Sequence, residues 1–259
     1  MSLGALHVIK QTNKINSASV IFLHGSGDTG EGFLNWIKFL LEDISLPHIN
    51  FYFPTAPLRP YTPLGGELSN VWFDRLSITP DVPEHKETLD SIGTEIKSFI
   101  NKIVESGVPL NRIVVGGFSM GGALALHTGY RFNPGLAGVF TLSSFLNNNS
   151  AIYTNFEIKR NTPLYVDTLV PISWGEKTFK DITKLGIKAE FIPIRNTMHE
   201  LKKKELEGLF EWIKKNTTTI GILVSFHSLK ELMCSIVART GQPGLTRGAK
   251  CQDAENITQ

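Results

Sequence analysis

A serine between two glycines occupies the position in this sequence that best suits a nucleophile. Residues 117–121 read Gly-Phe-Ser-Met-Gly, a G-x-S-x-G motif centred on Ser119. An apolar, β-branched run at residues 113–115 precedes the motif, and a helical pattern follows it. The glycines permit a sharp turn from strand to helix, which holds the serine in a strained conformation. We therefore predict that Ser119 is a nucleophile at the carboxyl edge of a sheet, beside the positive end of a helix.

A serine hydroxyl is a poor nucleophile until a base takes its proton, so the motif requires a histidine. In proteins with this serine turn, the chain order is serine, acid, histidine, and the histidine follows a late strand. His199 fits, because it lies just beyond a strand predicted at residues 187–194. His127 lies in the helix after Ser119 and His227 lies in an aperiodic C-terminal segment, so we interpret both as structural. We predict that His199 is the general base.

The negative charge that develops on an attacked carbonyl needs backbone N–H donors, which form an oxyanion hole. One donor usually belongs to the residue after the nucleophile, here Met120, and the other to a loop after an early strand. Residues 24–27, His-Gly-Ser-Gly, form such a loop after the strand predicted at residues 18–23. We predict that Ser26 and Met120 supply the two donors.

The same loop carries a competing motif, because residues 25–30 also read G-x-G-x-x-G, a dinucleotide-binding signature. That function requires an acidic residue about 20 positions further on, at the end of the second strand. Residues 53–56, Phe-Pro-Thr-Ala, contain no carboxylate there, so the sequence disfavours nucleotide binding. It also contains no His-Glu-x-x-His motif and no Cys/His cluster, so we expect no metal and no cofactor.

Strands that alternate with helices must position these groups. The predicted strands are residues 18–23, 49–53, 112–116, 137–144, 163–166 and 187–194, and the predicted helices are residues 31–41, 84–106, 120–127, 174–185 and 202–214. This alternation predicts an α/β fold with a mostly parallel central sheet and helices on both faces. Together with the G-x-S-x-G motif, it indicates the α/β-hydrolase fold. We assign this domain to residues 1–216. Residues 217–259 are interpreted as an atypical, flexible C-terminal tail that can include one docked or transient helix around residues 228–237, with a structured, functional segment as the alternative.

Composition excludes several classes of partner. The 259-residue chain has a formal net charge of +2, which points neither to nucleic acid nor to an acidic membrane surface. No apolar run approaches the roughly 20 residues that a membrane helix needs, and residues 1–11 lack a secretory apolar core. The two cysteines, Cys234 and Cys251, lie near the C-terminus, so the body of the protein uses no disulfide. We expect a cytoplasmic protein and leave its oligomeric state open.

Five segments together resemble the acyl-protein thioesterase and lysophospholipase-like carboxylesterase family. These segments are residues 23–30, 54–57, 72–74, 116–123 and 199–201. Met120, Ser26 and residues 143–146 look most like the lysophospholipase-like branch. The resemblance implies a serine hydrolase of carboxylic esters and acyl thioesters that needs no cofactor. Its implied substrates include S-acylated cysteines of proteins, lysophospholipids and short-chain esters.

The resemblance also implies an acyl-binding groove beside Ser119. Residues 58–73 are the matching stretch, in which Leu58 and Trp72 are the candidate substrate-binding residues. Trp72 is interpreted either as a wall of the groove or as an ordinary core residue. Asp74 follows the family motif and is interpreted as a structural hydrogen-bonding carboxylate.

The catalytic acid that the resemblance implies is Asp167, in a region where this sequence departs from the family. Residues 167–171 keep the Asp-x-x-Val-Pro ending of the family pattern. About five residues before the aspartate are missing, which corresponds to about 16 Å of extended chain. Either the strand begins earlier, around residues 159–162, or Asp167 does not reach His199. Two functions therefore stay open: a hydrolase with a complete triad, and a catalytically impaired acyl-binding or interaction protein.

Overall fold

The structure is a computed structural model, and it describes residues 2–13, 16–154, 161–168, 171–193 and 201–217. The C-terminal tail predicted for residues 217–259 lies outside the described residues, except for Thr217. No helix in the described part of the chain is both long enough and apolar enough to cross a membrane.

A seven-stranded sheet forms the centre of the described chain. Its strands are β1 (Leu6–Ile9), β2 (Ala18–Leu23), β3 (Ile49–Pro54), β6 (Ile113–Phe118), β7 (Gly138–Leu142), β8 (Leu164–Thr168) and β9 (Ala189–Pro193), and a separate hairpin is formed by β4 (Leu58–Tyr61) and β5 (Glu67–Asn70). The strand order in the sheet is β1-β3-β2-β6-β7-β8-β9; β1 is antiparallel to β3, and the other pairs are parallel. The prediction of an α/β-hydrolase fold with a mostly parallel sheet is confirmed.

Five α-helices cover the two faces of the sheet in the described residues: α1 (Gly30–Leu41), α2 (Lys86–Glu105), α3 (Met120–His127), α4 (Ile172–Lys184) and α5 (Lys203–Thr217). Side chains of α1 and α5 pack in one apolar layer, and side chains of α2, α3 and α4 pack in the other. Strand β2 shows why both layers exist. Val20 and Phe22 belong to the layer under α1 and α5, whereas Ile21 and Leu23 belong to the opposite layer. A strand buried on both faces is continuously apolar, as the sequence of β2 is.

Two elements were missing from the sequence prediction. Strand β1 is four residues long and half exposed, so its sequence carries little periodic signal. The hairpin β4–β5 lies between the strand predicted at residues 49–53 and the helix predicted at residues 84–106, where no strand was predicted. Its turn uses Gly65 and Gly66, both with positive φ, which glycine adopts at little cost.

Strand β8 begins at Leu164, and residues 161–163 precede it outside the strand. The expectation that a shortened β8 starts around residues 159–162 is therefore wrong. Parallel pairing fixes the register, with Leu164 opposite Val139 of β7 and opposite Ala189 of β9. A one-residue slip would exchange the two faces of the strand, so a shift in register cannot compensate for the residues missing before Asp167. Asp167 consequently lies within β8.

Candidate active site

Ser119 lies in the turn between β6 and α3 with φ 53° and ψ −119°, a conformation that costs a non-glycine residue about 1–3 kcal/mol. Hydrogen bonds hold it there. The Ser119 N–H donates to the carbonyl of Leu142 at 2.9 Å, and the Ser144 hydroxyl donates to the Ser119 carbonyl at 2.7 Å. The carbonyl also accepts the first helical hydrogen bond, from the N–H of Gly122 at 3.1 Å. This is the geometry that the G-x-S-x-G motif predicts.

The glycines on either side of Ser119 let the end of β2 approach the turn. A Cβ added to Gly121 would lie 2.0 Å from the carbonyl oxygen of Leu23, and one added to Gly117 would lie 2.3 Å from it. Side chains at either position would therefore collide with backbone. In-register pairing of Leu23 with Gly117 places the loop after β2 beside the nucleophile.

That loop, residues 24–27, lies against the serine. A Cβ added to Gly25 would lie 3.5 Å from the Ser119 Cβ. The Ser26 hydroxyl donates to the Met120 sulfur at 3.7 Å, so Ser26 and Met120 are adjacent. The structure therefore brings together Ser119, Ser26 and Met120. Their assignment as nucleophile and oxyanion donors remains a prediction.

His24 fixes the path of the loop. Its Nε2 accepts a hydrogen bond from the Ala56 N–H at 2.9 Å, so the proton of the neutral ring lies on Nδ1, which contacts the Gly25 carbonyl at 2.7 Å. Burial lowers the pKa of His24, which keeps the ring neutral. The Trp72 Nε1–H donates to the His24 carbonyl at 2.8 Å, and the two rings are 4.8 Å apart. The contacts of His24 and Trp72 thus hold the loop after β2 in place.

The structure brings neither of the two predicted groove residues into the lining of the cavity at Ser119. Trp72 is fully buried, which matches the core interpretation. Leu58 lies on the exposed face of the β4–β5 hairpin. Asp74 accepts hydrogen bonds from the Thr62 N–H and hydroxyl, as expected for a structural carboxylate.

An open cavity of about 610 Å³ borders Ser119 and the loop after β2. Its walls are rich in apolar and aromatic side chains, namely Trp36, Tyr61, Ile78, Phe118 and Phe145. Two charged side chains, Arg75 and Asp28, also line it. Cavities of this size and character are typical of small-molecule sites.

Arg75 is a cavity residue that the sequence prediction missed. Its guanidinium lies 4.7 Å from the ring centroid of Phe145 and 5.2 Å from that of Phe73. Burial lowers the pKa of Arg75 to about 10, although Tyr61 and Glu84 act in the opposite direction. The side chain therefore remains a cation at neutral pH. Its sequence signal was weak, because the two aromatic neighbours lie far apart in the chain.

A buried acid–histidine contact ties α3 to the connection before α2. The His127 Nε2 lies 3.0 Å from Glu84 Oε1, and Arg131 donates to His127 Nδ1 at 3.1 Å, so the ring proton lies on Nε2. The Ala151 N–H donates to Glu84 Oε2 at 2.9 Å. Burial opposes ionisation of Glu84, but these contacts lower its pKa to about 2. His127 is thus structural, as predicted.

Asp167 faces a second carboxyl group that the sequence prediction did not include. The aspartate is fully buried and shares a face of β8 with Tyr165, whose ring packs against Trp212 of α5. Its carboxyl lies next to that of Glu205 in the first turn of α5. Burial and the neighbouring Asp167 carboxyl raise the pKa of Glu205 far above its ordinary range. Glu205 Oε2 also accepts the Lys202 N–H at 3.0 Å, a helix-capping contact.

Backbone hydrogen bonds connect the ends of three adjacent strands. The Ser119 N–H donates to Leu142 of β7, and the Ser143 N–H donates to the Asp167 carbonyl of β8 at 3.0 Å. Ser143 also has a positive φ of 50°, so two non-glycine residues at neighbouring strand ends adopt the left-handed region. The predicted base, His199, lies outside the described residues. Its distance from Ser119 or Asp167 therefore stays untested.

The parallel sheet and the strained serine between β6 and α3 together define an α/β-hydrolase. The family model described as Phospholipase/Carboxylesterase matches residues 5–217. The chain belongs to this family of hydrolases.

Relatives agree with this assignment. The chain is 46% identical to mouse lysophospholipase-like protein 1 over 214 residues, which cover 80% of this chain and 89% of the relative. It is 33% identical to acyl-protein thioesterase 1 homolog 2 of Dictyostelium discoideum over 211 residues, covering 79% of this chain and 95% of the relative. The crystal structure of Zea mays acyl-protein thioesterase 2 superimposes with a TM-score of 0.70 at 25% identity, covering 83% of this chain and 99% of that one. The resemblance found in the sequence is confirmed.

Proposed function

We propose that this protein is a cytoplasmic serine hydrolase that cleaves carboxylic esters and acyl thioesters, with Ser119 as its nucleophile. The observation that carries the proposal is the strained conformation of Ser119 at the mouth of a largely apolar cavity, next to Ser26 and Met120. S-acylated protein cysteines, lysophospholipids and short-chain esters are the candidate substrates. Homology to acyl-protein thioesterases supports acyl groups as the common feature of these substrates.

In the proposed reaction, Ser119 Oγ attacks the acyl carbonyl carbon and its proton passes to His199. The N–H groups of Ser26 and Met120 stabilise the negative oxygen of the tetrahedral intermediate. The bond to the leaving alcohol or thiol then breaks, and that group takes the proton from His199. Water then attacks the acyl-enzyme and gives a proton to His199. When the acyl–Oγ bond breaks, His199 returns that proton to Ser119 Oγ and the carboxylic acid leaves.

Asp167 is the proposed partner of His199. An acid in this role holds the imidazole in the productive tautomer and stabilises its charged form. A protonated Glu205 would donate a hydrogen bond to one Asp167 oxygen, and the second Asp167 oxygen can accept a hydrogen bond from the imidazole N–H. Glu205 would then orient Asp167 as Asp167 orients His199.

A second candidate function is an acyl-binding or interaction protein with impaired catalysis. The observation that favours it is the position of Asp167 within β8, fully buried and next to the Glu205 carboxyl. In this case the cavity would retain acyl groups without turnover. Insertion of five residues between Val166 and Asp167 separates the candidates: a steep rise in esterase activity would support impairment, and no rise would support a working Asp167.

Covalent labelling with a fluorophosphonate probe tests the first candidate directly, because labelling requires an activated serine. We expect rapid labelling of Ser119, and none in the Ser119→Ala variant. That variant should also lose at least about 10³-fold in turnover of short-chain p-nitrophenyl esters and of thioesters. Ser19→Ala is the matched control, because Ser19 is buried in β2, its hydroxyl has no hydrogen-bond partner among the described residues and it does not line the cavity; this variant should keep the label on Ser119. Labelling of the wild type at the rate of free serine would contradict the proposal.

A further inference from the structure

The cavity at Ser119 is lined by a buried cationic side chain with an unsatisfied donor. Arg75 lines this cavity and is only 6% exposed. Its Nε is buried and has no hydrogen-bond partner in the described part of the chain. The aromatic rings of Phe73 and Phe145 flank the guanidinium, and rings accept no conventional hydrogen bond. A buried guanidinium with unsatisfied donors is costly unless another group supplies acceptor oxygens.

Tyr61 contributes a second unused donor to the same cavity. It is 3% exposed, and its buried hydroxyl has no hydrogen-bond partner among the residues that the structure describes. Tyr61 also interacts electrostatically with Arg75. A guanidinium and a phenol that both line one cavity form a polar subsite in walls that are otherwise largely apolar.

The acidic groups near this subsite do not neutralise Arg75 by direct contact. Glu84 is the carboxylate that acts on it electrostatically, but its two oxygens already accept hydrogen bonds from His127 and from the Ala151 N–H. Asp28, the acidic side chain in the cavity lining, accepts a hydrogen bond from the Thr29 N–H at 2.7 Å. The guanidinium donors therefore stay available for a ligand.

We propose that Arg75 and Tyr61 bind an anionic oxygen group of the substrate, a carboxylate or a phosphate, so that the enzyme prefers esters and thioesters that carry a negative charge. The planar guanidinium suits two acceptor oxygens at once, and the Tyr61 hydroxyl supplies a further donor. The anion belongs either to the far end of a short acyl chain or to the leaving group. This inference deepens the proposed function and rests on Ser119 being the nucleophile.

Paired substrates that differ only in charge test the proposal. For an anion on the acyl side, the pair is the 4-methylumbelliferyl half-ester of adipic acid and its methyl ester. For an anion on the leaving group, the pair is 1-butanoylglycerol 3-phosphate and 1-butanoylglycerol. We expect kcat/KM for the charged member of at least one pair to exceed that of its neutral partner tenfold or more. A ratio near one in both pairs would overturn the proposal.

Variants assign the preference to the subsite. Arg75→Gln should lower the charged-to-neutral ratio at least tenfold, Tyr61→Phe should lower it severalfold, and Arg75→Lys should retain part of it. Arg59→Gln is the matched control, because Arg59 is also buried with an unpartnered Nε but does not line this cavity. Circular dichroism of each variant monitors folding. An equal loss of both rates in Arg75→Gln, with the ratio preserved, would show that Arg75 only packs between the rings.

A binding measurement keeps this inference separate from the proposed function. In the Ser119→Ala variant, calorimetry compares monomethyl adipate with dimethyl adipate and repeats the comparison after Arg75→Gln. Charge-dependent binding that Arg75→Gln abolishes would support the anion subsite even if the wild type hydrolyses none of the esters. Hydrolysis by the wild type without charge preference, together with equal binding of the two adipates, would retain the hydrolase and eliminate the subsite.

Discussion

The two regions that the proposed mechanism combines differ in how completely short-range contacts determine them. Around Ser119, close approaches between β2 and β6 leave room only for glycine, and hydrogen bonds from neighbouring residues hold the strained serine. Around Asp167, a shortened strand places a carboxyl group within the sheet, opposite a second carboxyl on α5. Steric contacts restrict the region around Ser119 to one conformation. The electrostatics of the region around Asp167 depend on how Asp167 and Glu205 share protons.

This difference predicts how substitutions in each of the two regions should affect activity and stability. A sterically crowded turn tolerates few substitutions, so the position of Ser119 should be well fixed and should be disturbed by any added atom. A carboxyl pair tolerates isosteric changes but responds to pH. The following variants test this contrast.

Asp167→Asn should have the largest effect on turnover. If Asp167 orients His199, the amide favours the wrong imidazole tautomer, and kcat for p-nitrophenyl acetate should fall by about 10²- to 10⁴-fold. Fluorophosphonate labelling should slow in parallel. Unchanged kcat would show that the acid region does not contribute to catalysis, as the second candidate function requires.

Gly121→Ala tests the steric character of the nucleophile region. The added Cβ would lie 2.0 Å from the Leu23 carbonyl oxygen, so we expect a loss of about 3 kcal/mol or more in the free energy of unfolding. Gly65→Ala is the comparison, because its Cβ meets nothing within 4 Å and only its positive φ is unfavourable, at about 1 kcal/mol. Urea denaturation measures both. Equal losses would contradict the close-approach argument.

Glu205→Gln tests the carboxyl pair through the pH dependence of stability. The folded pKa of Glu205 is raised above its unfolded value of about 4.3, so its stabilising contribution is complete below that pH and is lost as pH rises. Glutamine can donate to Asp167 as a protonated Glu205 would, and it does not titrate. The variant should match the wild type near pH 4.5 and be more stable by about 2 kcal/mol at pH 8. Equal stability at both pH values would refute a shared proton.

Trp72→Phe should have the smallest effect, because it removes one hydrogen bond and keeps an aromatic ring. The His24 carbonyl loses its 2.8 Å donor, which should cost about 1–2 kcal/mol in the free energy of unfolding. Turnover should fall only severalfold, through looser positioning of Ser26. A thermal melt and an esterase assay measure the two effects. Loss of stability without any loss of turnover would show that the loop is held independently of Trp72.

The sequence predicted the nucleophile region well because its determinants are local. Ser119, its glycines and the apolar strand before it lie within a few residues of each other, whereas the pairing of β2 with β6 joins distant segments and was not predicted. Glu205 was missed because its partner Asp167 is distant in the chain and meets it only when α5 packs on β8. Arg75 was missed for the same reason, since Phe145 joins it only in the folded protein. The sequence left Trp72 as either a groove wall or a core residue, and its complete burial in the folded protein matches the core interpretation.

The contact between Glu84 and His127 has a consequence for substrate length. It fastens α3, which begins directly after Ser119, to the same connection that carries Arg75. Ser119 and the Arg75 guanidinium are therefore held at a fixed separation. If Arg75 binds the substrate anion, this separation selects the length of the chain between the reacting carbonyl and the anion. Across half-esters of dicarboxylic acids, kcat/KM should then pass through a maximum at one chain length instead of rising with each added methylene.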